Sequence, residues 1–121
     1  MAFKDLLQQI CSALPETIVV TLMGQDGISI DTIENAPAGD DMAAYFVEIT
    51  NVFSQAVRSS EQLQTGQVSE LVVKTDKIAS VLRPIGTEYF LALALPPSGN
   101  TGKARYLLRV TAPKVRAELG A

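Results

Sequence analysis

The residues with the clearest chemical potential lie in residues 98–104, between a predicted strand and a predicted helix. Their order, Ser-Gly-Asn-Thr-Gly-Lys-Ala, has the location and the Gly-Lys pair of a phosphate-binding P-loop. A P-loop also needs a glycine five residues before its second glycine, and Ser or Thr after its lysine. Pro97 and Ala104 occupy those two positions. We therefore predict a plain loop, with Asn100 or Thr101 capping the helix that follows.

Paired carboxylates are the second candidate. Asp26 and Asp31 flank a predicted turn, and Asp40 and Asp41 are adjacent, so either pair could bind magnesium or transfer protons. Turn formation and helix capping explain the same residues without catalysis. The chain has no histidine and one cysteine, Cys11, which excludes Ser-His-Asp triads, Cys-His pairs, imidazole metal sites and disulfides within the chain. We expect no catalytic residue, no metal and no cofactor.

The composition indicates one globular domain over residues 1–121. Hydrophobic residues make up 47% of the chain and charged residues 19%, which is too apolar for disorder. The net charge of −3 argues against nucleic acid as a partner. Arg105, Arg109 and Arg116 share one face of the last predicted helix; this face either is solvated or meets phosphate or an acidic protein.

The ends of the chain and its apolar runs bear on where the protein resides. The first residues are charged and contain no apolar core, unlike a signal peptide. The longest apolar run, residues 89–95, is far shorter than a membrane span. We expect a cytoplasmic protein with no membrane partner.

The hydrophobic pattern predicts the element order α-β-β-α-β-β-β-α. Apolar spacing predicts a first helix that ends at Pro15, followed by a hairpin that turns at Asp26-Gly27. It also predicts a long helix that starts at Asp40 or Asp41 and is ended by the polar residues 59–66. The predicted hairpin strands are residues 17–23 and 28–33, the later strands are residues 68–75, 78–82 and 89–95, and the last helix covers residues 101–119. Pro84 should end the fourth strand, and Pro113 should bend or restart the last helix.

The two most continuously apolar strands, residues 17–23 and 89–95, should lie side by side in the middle of the sheet. Hairpin and meander pairing then give the strand order 2-1-5-4-3, an α/β (α+β sandwich) architecture with helices on both faces. Residues 68–75 form an edge strand, which a second copy could extend across a two-fold axis unless a loop covers it. Ala44, Val47 and Asn51 are small or short residues on the outer face of the long helix, where two such helices could meet; the alternative is a solvated face.

Three local patterns resemble the roadblock (dynein light-chain) family over nearly the whole chain. They are Asp26-Gly27-Ile28 at the first turn, residues 82–85 followed by the apolar residues 89–95, and residues 99–105 entering the last helix. The resemblance implies homodimers or heterodimers through the third strand and second helix. It also implies non-enzymatic platforms for small Ras-like GTPases, which in bacteria include MglB-like regulators of GTP hydrolysis. Val68, Leu71 and Val73 would be dimer-strand positions.

By the same resemblance, Ala44, Val47, Asn51 and Gln55 mark the paired-helix platform approximately, and Arg58 is the exposed arginine near it. The leading hypothesis is a non-enzymatic dimeric scaffold that binds a small GTPase and modulates its nucleotide cycle. The alternative is a small-molecule sensor of PAS- or GAF-like type, which would need an interior cavity near Ala79, Ser80, Ala92 and Ala94.

Overall fold

The computed structural model describes residues 2–36 and 41–120, and its elements follow the predicted order. These described residues form three helices and five strands, and the bounds are α1 Phe3–Ala13, β1 Val19–Gly24, β2 Ser29–Glu34, α2 Asp41–Gln62, β3 Leu71–Lys74, β4 Ala79–Ile85, β5 Tyr89–Leu95 and α3 Thr101–Leu119. Capping of α2 by Asp40 or Asp41 was predicted, but these side chains lie outside the described residues.

The sheet has five antiparallel strands in the order β2-β1-β5-β4-β3, as the sequence predicts. β1 and β5 lie in the interior of the sheet because their side chains are apolar on both faces. They pair from Val19 opposite Ala94 to Gly24 opposite Tyr89. β2 is more polar and forms the other edge, where the burial of its side chains alternates.

Each face of the sheet has its own hydrophobic core. α1 and α3 cover one face, where Leu7, Ile10 and Leu108 pack with Leu91 and Leu93. α2 alone covers the other face. Its inward side chains are Phe46, Ile49 and Phe53, which pack with Leu82, Phe90, Ala92 and neighbouring residues, and the Phe53 and Phe90 rings stack with centroids 6.0 Å apart.

The middle of the meander differs from its prediction at Pro84. β4 passes through Pro84 and pairs with β5 as far as Ile85 opposite Tyr89. Its pairing with β3 stops at Leu71 opposite Leu82. Proline has no backbone N–H, so Pro84 cannot donate a hydrogen bond that would continue the pairing of β4 with β3. Residues 68–70 are therefore not part of the strand. The edge strand therefore has four residues rather than the predicted residues 68–75.

The two long helices end where the sequence predicts. α2 ends at Gln62, within the polar residues 59–66 that are expected to end it. α3 is one unbroken helix that contains Pro113. Since proline donates no backbone hydrogen bond, the carbonyl of Arg109, four residues earlier, loses its helical partner. Within residues 2–36 and 41–120, no helix combines the length and apolar character that crossing a membrane requires.

Candidate interaction surfaces

The outer face of α2 is a solvent-exposed stripe. Ala44, Val47, Asn51, Gln55 and Arg58 are all exposed, as expected from their helical spacing. These five residues are called the α2 stripe below. The Arg58 guanidinium donates to Oε1 of Gln55 at 2.8 Å, so the end of the stripe carries an ordered pair of polar side chains.

Two exposed apolar residues extend the α2 stripe beyond its predicted limits. Val52 is 49% exposed. Leu63 is 74% exposed and follows the last residue of α2. The broad apolar spacing of α2 did not distinguish Val52 from the truly buried Ile49 and Phe53. The way α2 packs on the sheet determines which of these side chains are buried and which are exposed to solvent.

The β3 edge is the second surface. β3 is the last strand of the sheet, and within the described residues its outer backbone edge pairs with no other strand. Val68, Leu71 and Val73 are half-buried, and they pack against the core beneath α2 rather than projecting outward. Val72 points to the opposite face and is 38% exposed. The edge therefore offers backbone groups and Val72, while the three predicted dimer-strand residues support α2.

The P-loop-like segment is packed as a helix cap. Oδ1 of Asn100 accepts a hydrogen bond from the backbone N–H of Lys103 at 2.9 Å. The backbone N–H of Asn100 donates to Oε1 of Glu16 at 2.5 Å. A Cβ at Gly99 would lie 2.6 Å from Leu95 Cδ1, so the loop sits directly on the core. A carboxylate of the chain itself thus takes the backbone donor that a phosphate would need. The loop prediction and the Asn100 cap are confirmed.

Asp26 and Asp31, the first predicted carboxylate pair, have local structural roles. Oδ1 of Asp26 accepts from the backbone N–H of Ile28 at 3.1 Å, which closes the hairpin turn, and Oδ1 of Asp31 accepts from Thr32 at 3.0 Å. Among residues 2–36 and 41–120, no group of three or more acidic, cysteine or histidine side chains could hold a metal ion. Cys11 is buried, and this burial raises the pKa of its thiol, which makes it a poorer nucleophile.

The small residues proposed for a ligand cavity lie instead in filled cores. Ala79, Ser80, Ala92 and Ala94 are fully buried. The Ser80 hydroxyl is 2.6 Å from the Tyr45 hydroxyl of α2, so its polar group is satisfied. This packing does not favour the PAS- or GAF-like alternative.

Comparison with solved structures places this arrangement in a family. The chain is 42% identical to MglC from Myxococcus xanthus over 98% of this chain and 99% of that chain, with a TM-score of 0.69. The chain belongs to the roadblock family. A roadblock/LC7 domain from Streptomyces avermitilis has a TM-score of 0.84 at 17% identity, with both chains fully covered. No protein-family model matches the chain, and no curated protein does.

Other roadblock-type neighbours support the same fold. MglB from Myxococcus xanthus has a TM-score of 0.80 at 10% identity, covering 99% of this chain and 98% of that chain. At this identity the likeness concerns architecture alone. The α2 stripe and the β3 edge are therefore the exposed second helix and third strand of a roadblock domain. These are the two elements on which the sequence analysis placed its candidate site residues.

Proposed function

We propose that this protein is a non-enzymatic scaffold that pairs with a second copy of itself and binds a small Ras-like GTPase. The observation that carries the proposal is its 42% identity to MglC over 98% of the chain, together with two exposed roadblock elements. MglB, a more distant neighbour, has been solved "with tetrameric arrangement", which agrees with self-association in proteins of this fold.

Pairing would use the β3 edge and the adjoining side of α2. Unpaired backbone groups on an edge strand are satisfied when a second strand is added. Because β3 has four residues, strand addition can supply only a few hydrogen bonds. The rest of the contact must come from α2, where Ala44, Val47 and Asn51 are small enough to let two helices approach closely.

The paired α2 helices would present their remaining surface to the GTPase. Val52 is 49% exposed and provides apolar contact area, while Gln55 and Arg58 provide polar groups. The Arg58 guanidinium is engaged with Gln55, so we expect the scaffold to act by shaping the switch loops of the GTPase. A cytoplasmic location follows from such a partner.

A binding titration tests this function. The small Ras-like GTPases of the same genome are titrated with the protein in their GDP and GTP-analogue states. We expect one GTPase to bind with a preference for one nucleotide state. Val52→Glu should weaken binding about tenfold or more, because it places a charge in the apolar contact.

The matched control is Val110→Glu. Val110 lies on α3 and is 37% exposed, so the substitution makes the same chemical change away from the α2 stripe. It should leave the affinity unchanged. Indifference of every GTPase in both nucleotide states would contradict the proposed function.

A further inference from the structure

Three arginines surround one surface pocket on the α3 face of the sheet. The pocket has a volume of about 250 Å³ and lies between the β4–β5 turn and the C-terminal half of α3. Arg83, Arg109 and Arg116 line it, and its other lining residues are Pro84, Ile85, Gly86, Ala112 and Pro113, none of which is acidic. We call this the arginine pocket.

The fold explains why these residues meet. Arg83 follows the buried Val81 by two positions on β4, so its side chain emerges on the face that α3 covers. Arg109 and Arg116 are seven residues apart, and therefore lie on one stripe of α3. The sequence analysis identified the helical arginines but not Arg83, which comes from a strand.

Among the described residues, no acidic residue lines the arginine pocket itself, and Glu61 lies only in the wall of the adjoining groove. On the same helix, Arg105 forms an ion pair with Glu70, the acidic residue that precedes β3. The Arg109 guanidinium lies 5.4 Å from the centre of the Tyr106 ring. Within residues 2–36 and 41–120, neither Arg83 nor Arg116 forms an ion pair. Like charges held together without a counter-charge favour an anionic ligand.

The pocket continues into a larger open groove of about 630 Å³. Arg83, Pro84, Gly86 and Arg116 line both depressions. The groove exists because β3 begins only at Leu71, while β4 runs on to Ile85, so the two chain segments separate beside Pro84. Its far wall is partly apolar, formed by Phe53, Val57 and Val68, and Glu61 also lines it.

We propose that the arginine pocket and this groove bind an acidic peptide segment of a partner protein, with carboxylates on the arginines and an apolar side chain against the half-buried Val57 and Val68. A guanidinium can hold a carboxylate through two parallel hydrogen bonds, which favours arginine at such a site. A single small anion would use the pocket and leave the adjoining apolar groove empty. The continuity of the two depressions therefore favours an extended chain.

The arginine pocket lies on the α3 face of the sheet, whereas the adjoining groove reaches α2 at Val57 and Glu61. Neither residue belongs to the α2 stripe, so the peptide would approach α2 beside the proposed GTPase platform and not on it. The site would thus allow the scaffold to hold a second partner while the α2 stripe is occupied.

Fluorescence anisotropy with a labelled peptide of serines, leucines and aspartates tests the proposal. We expect the peptide to bind the full chain at low salt and to weaken as salt rises, because the contacts are charged. A matched peptide with asparagine in place of aspartate should not bind. Arg83→Gln and Arg116→Gln should each weaken binding at least about fivefold.

Arg58→Gln is the control, because Arg58 is an exposed arginine on the α2 stripe. It should bind the peptide as the unmodified protein does, and circular dichroism should show that all variants fold. Three outcomes would overturn the proposal. They are no binding of the aspartate peptide at low salt, an equal loss of binding in Arg58→Gln, or inorganic phosphate binding as tightly as the peptide.

Discussion

Single residues that could act in catalysis or phosphate binding have structural roles in this protein. Asn100 belongs to the segment that most resembles a P-loop, yet its side chain caps α3 and its backbone N–H is held by Glu16. Asp26 likewise serves its own turn. The local hydrogen bonds of these side chains account for their presence in the sequence without a substrate.

The Asn100 cap predicts a measurable loss of stability. Asn100→Ala removes the acceptor for the Lys103 N–H and should lower the free energy of unfolding by about 1 kcal/mol. Urea denaturation measures this change. Ser98→Ala, in the exposed part of the same loop, should change it by less than about 0.5 kcal/mol. Equal effects of the two substitutions would show that the cap contributes nothing.

The sequence supports the cap but not its full surroundings. The preference of N-cap positions for small polar residues predicts Asn100 or Thr101 as the cap, because these two residues immediately precede the apolar spacing of the helix. The contact from Glu16 spans 84 positions and depends on how α1 is placed beside the loop. No local pattern encodes a contact of that range.

For the helices and strands, the unbroken apolar runs in two strands predicted the strand order correctly. β1 and β5 are apolar on both faces and therefore lie inside the sheet, and the remaining strands follow from hairpin pairing. The predicted length of β3 was wrong because the start of this strand depends on its pairing with β4. The residues themselves favour a strand from Val68, but Pro84 of β4 ends the pairing at Leu71.

α3 is continuous through Pro113, so the helix does not restart there, and this proline gives a prediction of its own. Pro113 lies within an unbroken, solvent-exposed part of the helix, so it weakens the helix without a compensating contact in the core. Pro113→Ala restores one backbone hydrogen bond and should raise the free energy of unfolding by about 1–3 kcal/mol.

Lys114→Ala is the neighbouring control for thermal or urea unfolding and should change stability by less than about 0.5 kcal/mol. If Pro113→Ala left stability unchanged or reduced it, the helix in solution would have to bend or restart at this residue, as the sequence alone suggested.

In the whole molecule, the arginine cluster and the exposed strand edge lie at different places: the arginines are on the α3 face of the sheet, and β3 forms one edge of it. The net charge of −3 conceals a local concentration of arginines on the α3 face, which composition alone could not reveal. The family resemblance predicted the second helix and third strand as interaction elements. It did not predict the arginine pocket, since Arg83 joins the helical arginines only when the sheet is assembled.

The proposed α2 platform requires self-association through β3, because it is formed by two copies of the chain. In a two-fold pairing, side chains of equivalent strands face each other, and like charges placed there repel. Val72→Glu introduces such a charge at a residue that is 38% exposed, so the fold itself should persist. Val110→Glu has nearly the same exposure, 37%, and lies on α3 away from this edge.

Light scattering in dilute solution measures the outcome directly. For a chain of 13.0 kDa, the unmodified protein and Val110→Glu should both have about twice that mass, whereas Val72→Glu should shift toward 13.0 kDa. A mass of 13.0 kDa for the unmodified protein at every concentration, or an undiminished dimer in Val72→Glu, would contradict the account.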